Sequence, residues 1–256
     1  MKKIKVTAVS YLNTKPFLYG IFQSPIQDEI ELSLDIPSEC ARKLQSGEAD
    51  LGIVPVAVIP KLATPHIISD YCIGAVGAVT TVCIYSDVPM AEISALYLDF
   101  HSKTSVALAK LLLDKYWRHN PVLLDGTEGY ISKIGGNVAG LVIGDRTIGL
   151  SKQYKYVYDL GEMWQKYTGL PFVFAAWVAN RELDADFINR FNVALKIGLD
   201  HIPQLVYLLP TQSKEFDFDL TEYFTHHISY NFDAAKKIAL QRFLTEIDTK
   251  VMVEAL

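Results

Sequence analysis

Apolar and polar residues change period along the chain, and each change marks an element. Residues 4–9 form a short, β-branched apolar run that stops at the polar Ser10, which predicts a first strand. Residues 17–22 predict a short helix. Ile30, Leu32, Leu34 and Ile36 alternate with polar neighbours, the two-residue period of a half-buried strand. Pro37 and Ser38 then offer a helix start. Cys40, Ala41 and Leu44 lie on one side of that helix, and Gly47 stops it. Residues 51–59 are continuously apolar right after Asp50, as expected of a strand covered on both faces. Strands alternating with helices in this way imply an α/β fold with mostly parallel sheets.

The second half does not repeat the first. Residues 80–85 predict a strand, closed by a turn at Ser86, Asp87, Val88 and Pro89. Residues 95–98 predict another, followed by a loop at 99–103. Ser102 or Thr104 caps a helix running to about Trp117, whose apolar positions include Val106, Leu108, Leu111, Leu112 and Leu113. Residues 139–143 and 172–179 read as buried strands, and the tail as helices over 185–199, 220–228 and 234–247. This pattern predicts a chain that leaves one lobe, builds a second and returns. Residues 1–87 with 178–256 make the first lobe, residues 88–177 the second, and a ligand cleft lies between them. In α/β proteins ligands sit outside the carboxyl ends of strands. The functional candidates are therefore residues 10–13, 55–56, 102–105 and 144–146.

Composition narrows the function. The 256 residues are half hydrophobic, which excludes disorder. A formal charge of −5 without a Lys/Arg cluster argues against nucleic acid as a partner. Cys40, Cys72 and Cys83 are three in number with no CxxC spacing, so neither a disulfide framework nor a zinc site is expected. Met1, Lys2 and Lys3 could open a signal peptide, but Lys5, Thr7, Ser10, Asn13 and Lys15 break the apolar run that should follow. No apolar run approaches the ~18 residues of a membrane span. The expected location is cytoplasmic, away from membranes.

Several segments together carry a resemblance. They are Ser10-Tyr11-Leu12-Asn13 with Pro16; Pro37 to Ala41; and Leu44, Gly47, Glu48, Asp50, Gly52, Val54, Pro55 and Val56 in fixed spacing. Gly77, Val79, Thr81 and Val82 follow, then Ser102 to Val106, Gly144-Asp145, and Pro171 to Ala175 with Trp177. In this order they resemble the chorismate dehydratases of the futalosine route to menaquinone, a family similar in fold to type II periplasmic binding proteins. There are departures. Thr81 stands where Ser is frequent, Ala78 replaces Pro, and Lys103 replaces an Arg that could form a two-bond fork with a carboxylate.

The resemblance implies loss of water from chorismate to give 3-[(1-carboxyvinyl)oxy]benzoate. Aromatisation drives that step, so no metal, nucleotide or redox cofactor is expected, and the chain has no GxGxxG after a strand, no Walker loop and no HExxH. The substrate is a dicarboxylate. Desolvating each carboxylate costs several kcal/mol, whereas each hydrogen bond to a charged group returns about 1.5–3 kcal/mol, so two or three donors per carboxylate are needed. Ser102, Thr104, Ser105 and the helix start they form can supply one set, and Ser10, Asn13, Thr80 and Thr81 the other. Tyr11, Pro55, Gly144 and Asp145 complete the expected binding site.

Asn13 is the expected catalytic residue, donating to the departing hydroxyl or orienting the ring. Asp145 serves as a base or as a local cap, and His101 borders the 102–105 loop. With no obvious protein base, the expectation is that the substrate's enolpyruvyl carboxylate takes the ring proton. Two other readings stand beside this one: a cytoplasmic solute-binding protein without turnover, and the related 1,4-dihydroxy-6-naphthoate synthases. The latter open with a Ser-x-Cys-Pro-Asn-Asp type segment that this chain lacks. Self-association as a homodimer is left open.

Overall fold

A computed structural model describes residues 3–209 and 218–254. Met1 and Lys2 of the basic opening lie outside the described residues. Strand β1 (Ile4–Val9) leads through a turn into helix α1 (Lys15–Phe22). Strand β2 (Ile30–Asp35), helix α2 (Pro37–Ser46) and strand β3 (Leu51–Pro55) follow, then the long strand β4 (His66–Ala75). The next five strands are β5 (Val82–Ser86), β6 (Ala95–Leu98), β7 (Val122–Asp125), β8 (Val138–Ile143) and β9 (Tyr156–Asp159), with helix α3 (Lys103–Leu112) after β6. Helix α4 (Leu160–Thr168) and strand β10 (Phe172–Ala179) bring the chain back. It ends in α5 (Ala185–Asp200), α6 (Ile202–Leu208), a short helix Leu220–Glu222, strand β11 (Ser229–Asn231) and α7 (Ala234–Glu254).

The described strands form two sheets. One has the order β11-β4-β10-β3-β1-β2, the other β7-β6-β8-β5-β9. The out-and-back path read from the sequence is present, but the expectation of mostly parallel sheets is corrected. Strand β1 pairs parallel with β2 and β3, and β6 pairs parallel with β7 and β8. By contrast, β10 is antiparallel to β3 and β4, β11 is antiparallel to β4, and β5 is antiparallel to β8 and β9. Buried strands such as β3 and β10 are continuously apolar, β3 with a parallel neighbour and β10 with none, so composition does not report direction.

The division of the chain also shifts. Strand β5, expected in the first lobe, belongs to the second sheet, and the whole of β10 belongs to the first. We propose crossings at 76–81 and 160–171 in place of 87/88 and 177/178. Two local expectations change as well. Strand β3 stops at Pro55, and residues Val56–Lys61 wind into 3-10 turns. Helix α3 ends at Leu112 and loosens into a π turn, Leu113–Trp117.

One close approach fixes the turn after β1. Helices α1 and α5 meet at Gly20 and Gly198, where a Cβ on Gly198 would lie 1.8 Å from the Pro16 carbonyl. Only glycine lets the two backbones touch there. The start of α1, and the Tyr11-Leu12-Asn13-Thr14 turn that precedes it, is thereby held against the first lobe.

Candidate functional site between the two sheets

The turn after β1 meets the end of β8 and the start of α3 across a small cavity of about 50 Å³. Its walls include Tyr11, Asn13 and Thr14 from the turn, Pro37 and Pro55 from the first lobe, Thr81 beside the crossing, and Ser102, Ser105 and Gly144 from the second lobe. None of the lining side chains is charged. The cavity is small against the roughly 300 Å³ or more of ordinary ligand pockets, so a ring-sized ligand enters only if the lobes part.

Each wall residue is placed by a local cause. Ser102 caps α3: its side chain accepts from the Ser105 amide at 3.3 Å, and the Ser105 hydroxyl donates to Ser102 Oγ at 3.1 Å. The amides of Lys103 and Thr104, in the first turn, have no intrahelical acceptor, which makes this corner suited to an anion. Asn13 is held at both ends. Its Oδ1 accepts from the Thr14 hydroxyl at 3.1 Å, and its backbone carbonyl accepts from the Tyr230 hydroxyl at 3.0 Å. Thr81 is buried, with Oγ1 2.9 Å from the hydroxyl of fully buried Tyr223.

Not every expected residue reaches the cavity. Tyr11, Asn13, Pro55, Thr81, Ser102, Ser105 and Gly144 line it together. Ser10 is exposed, because its amide continues the β1–β2 ladder onto the Asp35 carbonyl and the side chain turns outward. Thr80 has φ +63°, which swings its hydroxyl onto the Val79 carbonyl and its amide onto Asp159 Oδ2. It lines a separate hollow of about 350 Å³ with Asp159 and Tyr223. Thr104 is buried, its Oγ1 accepting from the Ala57 amide at 3.1 Å, so it ties α3 to the first lobe. Asp145 likewise spans the lobes, accepting from the Leu12 amide at 3.0 Å. Lys103 is exposed and does not line the cavity.

Charged groups form a layer behind the neutral wall. The Asp99 side chain is fully buried and accepts from the amides of His101 and Ile143 at 2.9 Å and the Tyr130 hydroxyl at 3.0 Å, as well as from Arg146 Nη2 at 2.7 Å. Arg146 Nε is buried without a hydrogen-bond partner. Burial pushes the Tyr11 phenol up to about 12, Arg146 partly opposing it. Burial, then Arg146, holds His101 below the usual imidazole range. Tyr11 therefore keeps its proton, and its hydroxyl and Nδ1 of His101 share a hydrogen bond that crosses between lobes. Burial raises Asp145 above the usual carboxylate range, although the Leu12 amide opposes this.

Sequence reading placed Arg146 among its strand-end candidates but missed Asp99 and Tyr223 as contributors. Asp99 directly follows β6 and Arg146 closely follows β8, so the strand-end rule reaches both. Tyr223 sits in a π turn 142 positions from Thr81, where no local pattern points to it.

Comparison with known proteins adds a family and a fold. A family model described as menaquinone biosynthesis matches residues 4–248. A chorismate dehydratase of Thermus thermophilus is 30% identical over 168 residues, which is 57% of this chain and 60% of the relative. The match thus spans about three fifths of that relative's length. Among solved structures, a protein of Archaeoglobus fulgidus superposes with a TM-score of 0.72 at 16% identity, covering 98% of both chains. A Candida albicans protein described as having the generic periplasmic binding protein fold gives 0.60 at 12% identity, over 97% of this chain and 91% of its own. The periplasmic aliphatic sulphonate binding protein of Escherichia coli gives 0.59 at 15%, over 100% and 89%. At these identities the structural likenesses establish a periplasmic-binding-protein-like fold.

Proposed function

The chain belongs to the menaquinone biosynthesis family, and on that footing we propose that it is a chorismate dehydratase, a hydro-lyase of the futalosine route acting in the cytoplasm. One observation carries the reading: a cavity between two lobes, walled by neutral donors from the Tyr11–Asn13 turn, Thr81 and the capped start of α3. Neutral, fixed donors suit a dicarboxylate because they solvate it without a counter-charge that would have to be desolvated too.

In this reading the Ser102 hydroxyl and the first-turn amides of α3 hold one carboxylate, with Ser105 orienting the Ser102 side chain. Asn13 and Thr81 face the ring and donate to the hydroxyl leaving carbon 4. The enolpyruvyl carboxylate takes the proton from carbon 3 and passes it to the hydroxyl as the C–O bond at carbon 4 breaks, so water departs, the carboxylate is regenerated and the ring becomes aromatic. The chain contributes orientation and exclusion of bulk water, both strongest with the lobes closed.

The test mixes purified protein with chorismate, following aromatic absorbance and product mass. The expected product is lighter by one water. Binding without any spectral change would mark a solute-binding protein of the same fold and overturn the dehydratase reading.

A further inference from the structure

We propose that Lys61, Lys103 and Lys110 form an electropositive entry groove that draws a dianionic substrate to the Ser102 corner of the cavity and sets how fast it arrives. This deepens the dehydratase reading, on which it rests for the identity of the dianion.

The groove has a volume of about 540 Å³ and lies on the seam between the lobes. Ala57, Pro60 and Lys61 come from the 3-10 turns after β3, and Lys103, Val106 and Lys110 from α3. Its two sides are tied where the Thr104 hydroxyl accepts from the Ala57 amide at 3.1 Å. Ser102 lines both the groove and the cavity, so the two hollows adjoin at the cap of α3. A ligand that enters as the lobes part therefore passes these lysines beside the seam.

The charges favour an anion. The chain as a whole carries −5, so its average field repels a dianion. All three groove lysines are exposed, and among the described residues none of them has an ion-pair partner. By contrast, Lys43, Lys166, Lys196 and Lys236 each sit on a carboxylate. The one carboxylate in the groove lining, Asp99, is buried and paired with Arg146.

The position of the lysines outside the cavity has a physical reason. Charges inside it would have to shed water as the lobes close, at a large cost. On the rim they stay hydrated and still act at range, because the screening length is about 30 Å at an ionic strength of 0.01 M. Clefts lined by one sign of charge raise arrival rates by about 10- to 1,000-fold. The lysines thus govern arrival, and the neutral donors at Ser102 and the first turn of α3 govern residence.

Stopped-flow mixing of chorismate with the full chain, read by tryptophan fluorescence, gives both rate constants across a sodium chloride series. The triple variant Lys61→Gln, Lys103→Gln, Lys110→Gln should associate at least about tenfold more slowly than wild type at 0.01 M. At 1 M, where screening shortens to about 3 Å, the two should agree within about twofold. Lys133, Lys166 and Lys196 are exposed and lie off the groove. Changing those three to Gln makes the same change in net charge and should slow association by less than about threefold. A groove variant that associates at the wild-type rate at 0.01 M, or a control variant slowed as much, overturns the groove. A second arm uses wild-type protein carrying 13C-labelled lysine, titrated with benzene-1,3-dicarboxylate at low salt. The signals of Lys61, Lys103 and Lys110 should move further than those of the control lysines, whether or not chorismate is turned over. Wild-type protein that leaves chorismate unchanged defeats the dehydratase reading, and the lysine signals still decide the groove: movement supports it and constancy overturns it.

Discussion

Alanine at Gly144 is the sharpest structural perturbation of the lobe contact. Gly144 closes β8 with φ +65°, and a Cβ built there would lie 2.6 Å from two ring carbons of Tyr11, across the cavity in the other lobe. The ring cannot swing away freely, since its hydroxyl is hydrogen-bonded to His101 and the next residue's amide is held by Asp145. The left-handed backbone costs an L-residue about 1–2 kcal/mol, and forcing an extra methyl into a packed contact costs about 1–3 kcal/mol. Together Gly144→Ala should destabilise the closed form by about 2–5 kcal/mol. For a chain of this size that corresponds to a Tm lower by roughly 5–15 °C, read by circular dichroism. If the lobes relieve the overlap by parting, the loss appears instead as weaker ligand binding in calorimetry. In a Tyr11→Ala background the steric part vanishes, and Gly144→Ala should cost only the backbone part. Unchanged Tm and unchanged affinity in the single variant would refute the interlobe contact.

Three further outcomes follow from the same network. Asp99→Asn leaves the Arg146 guanidinium without its charge partner in a largely buried site, a loss of about 3 kcal/mol that urea denaturation should register. His101 faces Tyr11, Asp99 and Arg146, and burial with Arg146 depresses its pKa, so the folded chain refuses a proton that the unfolded chain accepts near pH 6.5. Stability should therefore fall as pH drops below about 6.5 toward the lowered value, and the slope should flatten in His101→Gln; an identical slope in both refutes the assignment. Asn13→Ala should lower kcat for chorismate by about 10²–10³, the loss seen when one transition-state donor is removed, and a loss below threefold would exclude Asn13 from the chemistry.

How far the sequence carried this picture depends on the range of the forces involved. The Ser102 cap and the turn after β1 were legible because caps and turns are set by neighbours within a few residues. Residues 56–59, part of the 3-10 turns Val56–Lys61, were misread as strand because a continuous apolar run fits any buried backbone. The helix start at Pro37 was found, yet Ile36 is the cap residue and no side chain caps it, so Pro37 marks the start through its fixed φ at the first helical position. Strand β4 escaped the sequence reading because its burial does not alternate, its outer half pairing irregularly with β10 and β11. Within the site, the hydroxyls at 102 and 105 came from the strand-end rule and that at 81 from the resemblance, and all three line the cavity. The direction of the Thr80 side chain was not, since it follows from a positive φ that nothing in its neighbours announces. Tyr223 takes its place from contacts across the fold that no period or spacing encodes, and the strand-end rule reaches Asp99 and Arg146 without showing that they pair.

The central claim is tested most directly by single-turnover mixing of wild-type protein with chorismate. The account predicts stoichiometric appearance of an aromatic ether that still carries both carboxylates and has lost one water. Chorismate recovered intact from a saturated complex would contradict it.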